Sequence, residues 1–149
     1  MVTTRIPSEL APDLLERLKQ RFGAFPLTRE WDLNIEALAP GSASMSLIPN
    51  GVTSNGPAGA LNGGVLATLA DMACALALST CFDGRMPFAT SDLHIRYLEP
   101  ADSEVTIAAS VVRVSLRSAI LDCRLTCAGR IVALCTTHFI IKLRAKETP

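Results

Sequence analysis

An apolar run over residues 65–82 carries a single charge, Asp71, and is introduced by the tripeptide Asn62-Gly63-Gly64. The run is long enough to raise the question of a membrane span. Its richness in Ala, Thr, Ser and Cys and the acid near its middle favour a buried core helix instead. A helix that is apolar on every side must be covered on nearly every side, so the remainder of the chain has to supply a wrapping layer. An isolated carboxylate is costly to take out of water and calls for a charged or hydrogen-bonding partner, or a chemical task. Asp71 is therefore the first residue that needs an explanation.

The flanking segments provide the layer. Pro12, then Leu14, Leu15, Leu18 and Phe22 on one face and Gly23 as a stop, predict a short amphipathic N-terminal helix. From Trp31 the period changes to two: Trp31, Leu33, Ile35 and Ala37 alternate with Asp32, Asn34 and Glu36. Pro40-Gly41 turns the chain, and Ala43, Met45 and Leu47 alternate with three serines on the return. Residues 49–64 are crowded with Gly, Pro, Asn and Ser and form a long loop, a place where function concentrates. After the apolar helix, which Asp83-Gly84 ends, four more strands are expected over 88–98, 105–114, 119–127 and 131–143, with a solvated tail over 145–149. Their short connections favour antiparallel neighbours. The order implies an α+β fold in which an antiparallel sheet of about six strands curls around one long helix.

A chain of 149 residues suits one domain spanning 1–149. Fourteen basic side chains balance fourteen acidic ones, so no net field attracts nucleic acid or an anionic membrane. The N-terminal residues lack the apolar core of a secretory signal, and a cytoplasmic location is expected. The five cysteines, Cys74, Cys81, Cys123, Cys127 and Cys135, are odd in number and sit in apolar stretches, as reduced core thiols do. Cys123 and Cys127 lie four residues apart on a strand, roughly 13 Å, too far to share one metal ion. No metal is expected and no cofactor motif is present; Gly59, Gly63 and Gly64 lack the spacing of a nucleotide-binding loop.

The segment Gly59-Ala60-Leu61-Asn62-Gly63-Gly64 with Asp71 on the following helix resembles the signature of the PaaI-like acyl-CoA thioesterases of the hotdog-fold superfamily. The segment from Thr90 through Ser91, Asp92 and Tyr97 to Ala101 resembles the strand after that family's helix, and the element order agrees over most of the chain. The resemblance implies a homo-oligomeric acyl-CoA thioesterase, a dimer or a dimer of dimers. Two positions depart from the pattern. Asn62 stands where the family usually has histidine, and Gly56 with Asn55 beside it stands where some members place an asparagine. An amide can hydrogen-bond but cannot change charge near neutral pH. The resemblance also implies that Thr90, where some members place a serine, helps position water, that Ser91 beside it belongs to the substrate-binding residues, and that Arg113 and Arg117 lie near the pantetheine route, where phosphates want arginine.

Thioester hydrolysis needs an oxyanion donor and either a nucleophilic carboxylate or one that activates water. Gly63, supported by Gly64, sits at a helix N-terminus where free N–H groups favour negative charge; Asp71 is the acid. Eight residues separate Gly63 from Asp71, roughly 12 Å along one helix, so both can act on one substrate only if the Gly63 comes from a second subunit. Plainer readings stand beside these: a tight turn for the glycines, an interface carboxylate for Asp71, a helix cap for Asn62, a strand threonine for Thr90. His94 reads as a polar-face or interface residue alongside Asp92 and Arg96, and His138 as a satisfied core residue. Two rival functions remain open, an acyl-CoA-binding module without chemistry and a hotdog hydratase.

Overall fold

The computed structural model describes residues 5–55 and 59–142; Gly56, Leu143 and the expected tail lie outside the described residues. Two helices, α1 (Leu14–Gly23) and α2 (Pro26–Glu30), precede the strands β1 (Asn34–Ala39) and β2 (Ser42–Leu47). The central helix α3 (Gly63–Ser79) ends in a 3-10 turn, Thr80–Phe82, and is followed by β3 (Phe88–Tyr97), β4 (Val105–Val114), β5 (Ser118–Cys127) and β6 (Arg130–Ile141). The six strands form one antiparallel sheet in the order β1-β2-β4-β5-β6-β3. The sheet wraps α3, which packs against β2, β4, β5 and β6. This is the expected hotdog architecture.

Alternation explains the wrapping. Met45 and Leu47 of β2, Val105 and Ile107 of β4, Leu121 and Leu125 of β5 and Phe139 of β6 all point at the helix and are buried. They meet Leu66, Leu69, Leu76 and Leu78 of α3, and each such leucine contributes about 2 kcal/mol on leaving water. Ala70, Ala73, Cys74 and Ala77 on the same helix are fully buried as well, and their small side chains let the sheet come close. The stretch Gly63–Phe82 has the length and apolarity of a membrane span, yet 67% of its most apolar window lies buried within the fold.

Cys74, Cys123, Cys127 and Cys135 are buried and Cys81 is half-buried, all as free thiols. Burial pushes the Cys135 thiol up to about 11. The Cys123 thiol is held far above its usual range by its hydrogen bond to Cys74. Cys123 and Cys135 are therefore protonated packing residues, not nucleophiles.

Three local features depart from the sequence expectation. Helix α2 was not foreseen; with five residues it is too short to display a period, and its only signal is Pro26 at the first position. Strand β1 starts at Asn34 and not at Trp31, because Trp31 closes α2 and Asp32 turns the chain with a φ of 52°. A bulge between Ile35 and Ala37 then exposes Ala37 and turns Leu38 toward the core, breaking the predicted alternation. The third departure matters most for function. Helix α3 is not sealed by its own sheet: Gly64, Ala67, Thr68, Asp71, Met72 and Ala75, spaced three or four residues apart, form a stripe that is half-buried or exposed. Asp71 belongs to this stripe and not to the deep interior.

Helix α1 closes the far end of α3. Leu14, Leu18 and Phe22 bury its apolar face, Arg17 pairs with Asp83 at 2.9 Å, and Arg21 donates to the Gly84 carbonyl at 2.7 Å. Gly84 has a φ of +80°, and a Cβ there would meet Leu14 Cδ1 at 2.7 Å. Gly84→Ala is expected to combine left-handed strain with a displaced Leu14 and to lower stability by about 2 kcal/mol, read as an earlier midpoint in urea.

Candidate active site

The N-terminal turn of α3 is fixed by a small set of hydrogen bonds. Asn62 is extended at φ −62°, ψ 141°, and its Oδ1 accepts the Gly64 N–H at 2.7 Å while its Nδ2 donates to Asn55 Oδ1 at 2.9 Å. The Asn62 carbonyl accepts the Val65 and Leu66 amides at 3.0 and 3.2 Å, and its own N–H donates to the Thr53 carbonyl at 3.1 Å. Asn62 is thus a helix cap in the ordinary sense, and Asn55 steadies it. One consequence narrows the expectation: the Gly64 N–H is already engaged and is not free to support an oxyanion. The Gly63 N–H has no acceptor among the described residues, so it is the donor this turn offers.

A residue that sequence reasoning passed over completes the turn. Tyr97, at the end of β3, donates its hydroxyl to the Gly63 carbonyl at 2.6 Å. Its ring lies so close that a Cβ on Gly63 would stand 3.3 Å from Cζ. Beside it, Ala60, Leu61, Leu66, Leu98 and Ala101 wall an open cleft of about 360 Å³ that reaches Gly63. The only sequence signal was an aromatic at a strand end next to Leu98-Glu99-Pro100.

Farther along the helix, Asp71 Oδ1 accepts a hydrogen bond from Thr90 Oγ1 at 2.8 Å. No protein donor among the described residues engages its second oxygen. Thr90 reaches Asp71 because β3 carries a bulge between Thr90 and Asp92. On a regular strand Thr90 would share a face with Asp92 and His94, whereas the extra residue turns Thr90 toward the helix while Leu93, Ile95 and Tyr97 also face inward. Ser91, the bulged residue, points elsewhere and donates to the His138 carbonyl at 3.1 Å, with its hydroxyl also against His138 Nδ1. Of these two neighbours the structure therefore brings Thr90, the expected water-positioning residue, and not Ser91, to the acid. His138 is satisfied by this contact.

Asp92, His94 and Arg96 lie on the outer face of the sheet. His94 is in register with Thr136 and through it with Asp122, and Arg96 with Leu134 and Arg124. His94, Arg96, Asp122, Arg124, Leu134 and Thr136 line a hollow of about 710 Å³. It opens away from α3 and reaches neither Gly63 nor Asp71, so its size says nothing about the thioester chemistry. Arg113 falls in the same outer face, in register with Ile120, on the opposite side of the sheet from Asp71. Arg117 lies in the β4–β5 turn, where its carbonyl accepts the Ile141 N–H at 2.9 Å. Ile141 pairs with Phe88, so Arg117 sits at the end of the sheet that carries Thr90. Among the described residues no group of three His, Cys, Asp or Glu could hold a metal ion.

The comparisons with known proteins follow the same lines. The family model described as the thioesterase superfamily matches residues 58–139. No curated protein matches the chain. Among solved structures, a mutant of the phenylacetic acid degradation protein PaaI from Thermus thermophilus is similar at 29% identity and a TM-score of 0.70, covering 80% of this chain and 100% of that one. A conserved protein of Pseudomonas aeruginosa matches at 22% identity and a TM-score of 0.75, covering 82% and 98%. A mutant thioesterase from Staphylococcus aureus matches at 18% identity and 0.73, covering 80% and 100%; at that identity the likeness concerns the fold.

Proposed function

Because the chain belongs to the thioesterase superfamily, we propose that it hydrolyses acyl-CoA thioesters at two sites, each shared between two copies of the chain. One observation carries this reading. Strand β3 touches α3 at both ends, Thr90 at Asp71 and Tyr97 at Gly63, and it is an edge strand whose outer side is unpaired among the described residues. A long exposed edge invites pairing with another strand. If a second copy pairs its own β3 antiparallel about a two-fold axis near Leu93 and His94, the ends exchange. Asp71 and Thr90 of one subunit then stand beside Gly63 and Tyr97 of the other. The same approach covers the open stripe of α3. Dimers of this kind can pair again through the outer sheet face.

In this site the thioester carbonyl points at the Gly63 N–H, which stabilises the developing oxyanion at the positive end of α3. Thr90 holds one Asp71 oxygen and leaves the other for chemistry. As a base, Asp71 takes a proton from water while the water oxygen bonds the carbonyl carbon; the tetrahedral species expels coenzyme A thiolate, which takes that proton back. As a nucleophile, the carboxylate bonds the carbon itself, releases the thiolate, and the resulting anhydride is hydrolysed. Asn62 caps the helix and holds Asn55 where a histidine is usual. Arg117 supplies a cation for the phosphates of coenzyme A, whereas Arg113 faces away from the site. Five free thiols suit a reducing compartment, and we assign the protein to the cytoplasm.

The amide at Asn62 motivates a rival, a module that binds acyl-CoA without hydrolysing it. A panel of acyl-CoA esters, with phenylacetyl-CoA included on account of the PaaI likeness, separates the two by free-thiol release and titration calorimetry. Hydrolysis predicts turnover of at least one ester well above the uncatalysed rate. Tight binding with no thiol released would establish the module instead.

A further inference from the structure

We infer that Tyr97 is a positioning residue for the oxyanion donor, acting through the peptide that joins Gly63 to Gly64; the inference rests on the hydrolase reading above. That peptide is held at both ends. Its carbonyl accepts the Tyr97 hydroxyl at 2.6 Å and its N–H donates to Asn62 Oδ1 at 2.7 Å. The Gly63 N–H lies in the Asn62–Gly63 peptide, whose carbonyl accepts the Val65 and Leu66 amides, and because Gly63 has no side chain to fix its own dihedral angles the planes on either side complete the hold on that peptide. On the preceding side the Asn62 N–H is anchored to the Thr53 carbonyl. On the following side the anchor is the phenol.

The anchor is itself well mounted. Tyr97 pairs with Ala133 across the sheet, and the next two amides, Leu98 and Glu99, both donate to the Val132 carbonyl, at 2.8 and 3.3 Å. Glu99 pairs with Arg130. The Ala101 carbonyl accepts the Leu61 N–H at 2.8 Å, which ties the segment after Tyr97 to the loop that enters α3. The bulge in β3 serves both halves of the site at once. By shifting the strand's parity it turns the Thr90 hydroxyl and the Tyr97 hydroxyl toward the same helix, one onto the acid and the other onto the peptide that follows the donor. Tyr97 is also 49% exposed, and its ring forms one wall of the cleft beside Gly63. The hydroxyl thus aims the donor while the ring offers the acyl group a surface.

The two parts of the side chain separate experimentally. In the full-length oligomer Tyr97→Phe keeps the ring and deletes the hydroxyl. Its kcat on the best acyl-CoA of the panel is expected to fall about tenfold with KM within about twofold of the parent, because a misaimed donor weakens transition-state binding and leaves substrate binding alone. Tyr97→Leu removes the wall too and is expected to raise KM in addition. Circular dichroism and the oligomeric state report on folding, and rates are taken per folded protomer. A folded Tyr97→Phe oligomer with kcat within twofold of the parent overturns the inference, as does a loss confined to KM. Asp71→Asn, measured in parallel, keeps the premises apart. If it is inactive while Tyr97→Phe is fully active, only the positioning role fails; if Asp71→Asn turns over normally, the hydrolase site itself is wrong.

Discussion

Asp71→Asn is expected to leave a folded oligomer whose thioester turnover is lower by about a thousandfold, the scale of losing a general base or a carboxylate nucleophile. The substitution is nearly isosteric, and the amide oxygen can still accept the Thr90 hydroxyl that now lies 2.8 Å from Oδ1. The side chain keeps its size and its place in the half-buried stripe of α3, so stability has no reason to change much. What disappears is the second oxygen's capacity to take a proton from water or attack carbon. Thiol release at saturating substrate measures the loss, with circular dichroism and size-exclusion chromatography as controls. Turnover within about threefold of the parent would remove Asp71 from the mechanism. If Asp71 were only an interface carboxylate, the same variant would instead shift the dimer equilibrium and leave the rate per dimer intact.

The residues that announced the fold did so through periodicity. Ala43, Met45 and Leu47 alternate with serines and become the buried face of β2; the run after Gly64 has no strand period and becomes α3. A period is legible because it repeats. Single-residue events are not. The bulge at Ser91 leaves no mark in composition, yet it decides that Thr90 faces Asp71 and that Ser91 faces His138. That Asp71 and the glycine turn of one chain cannot act together could be anticipated, because helix rise alone keeps them apart. The occupied Gly64 amide and the Tyr97 contact could not, since both depend on which way one peptide plane points. Even the central premise changed in kind. An acid in an apolar run suggested burial, but small neighbours at Ala67, Thr68 and Ala75 leave Asp71 on an open flank of the chain, and a flank is where a second subunit would have to arrive.

Gly63→Pro is the second large effect, and the local geometry makes it a clean deletion of one N–H. Position 63 opens α3, where proline is tolerated because the first helical amide has no intrahelical acceptor. The preceding Asn62 already holds φ −62° and ψ 141°, the extended conformation that proline requires of its neighbour. The new Cβ would approach Tyr97 Cζ to 3.3 Å, which the half-exposed ring can yield to, and Gly63→Ala adds the same carbon while keeping the N–H. Gly63→Pro is therefore expected to fold and lose about 10²–10³-fold in kcat, the cost of one oxyanion donor, with Gly63→Ala losing far less. Co-expressing Gly63→Pro with Asp71→Asn under two tags then tests the shared site directly. A mixed dimer keeps one site in which the intact Asp71 of one subunit faces the intact Gly63 of the other. Random assortment makes half the dimers mixed, so about a quarter of parental activity should return. Were both groups drawn from the same chain, every site in the mixture would carry one of the two lesions, and activity would stay at the level of the single variants.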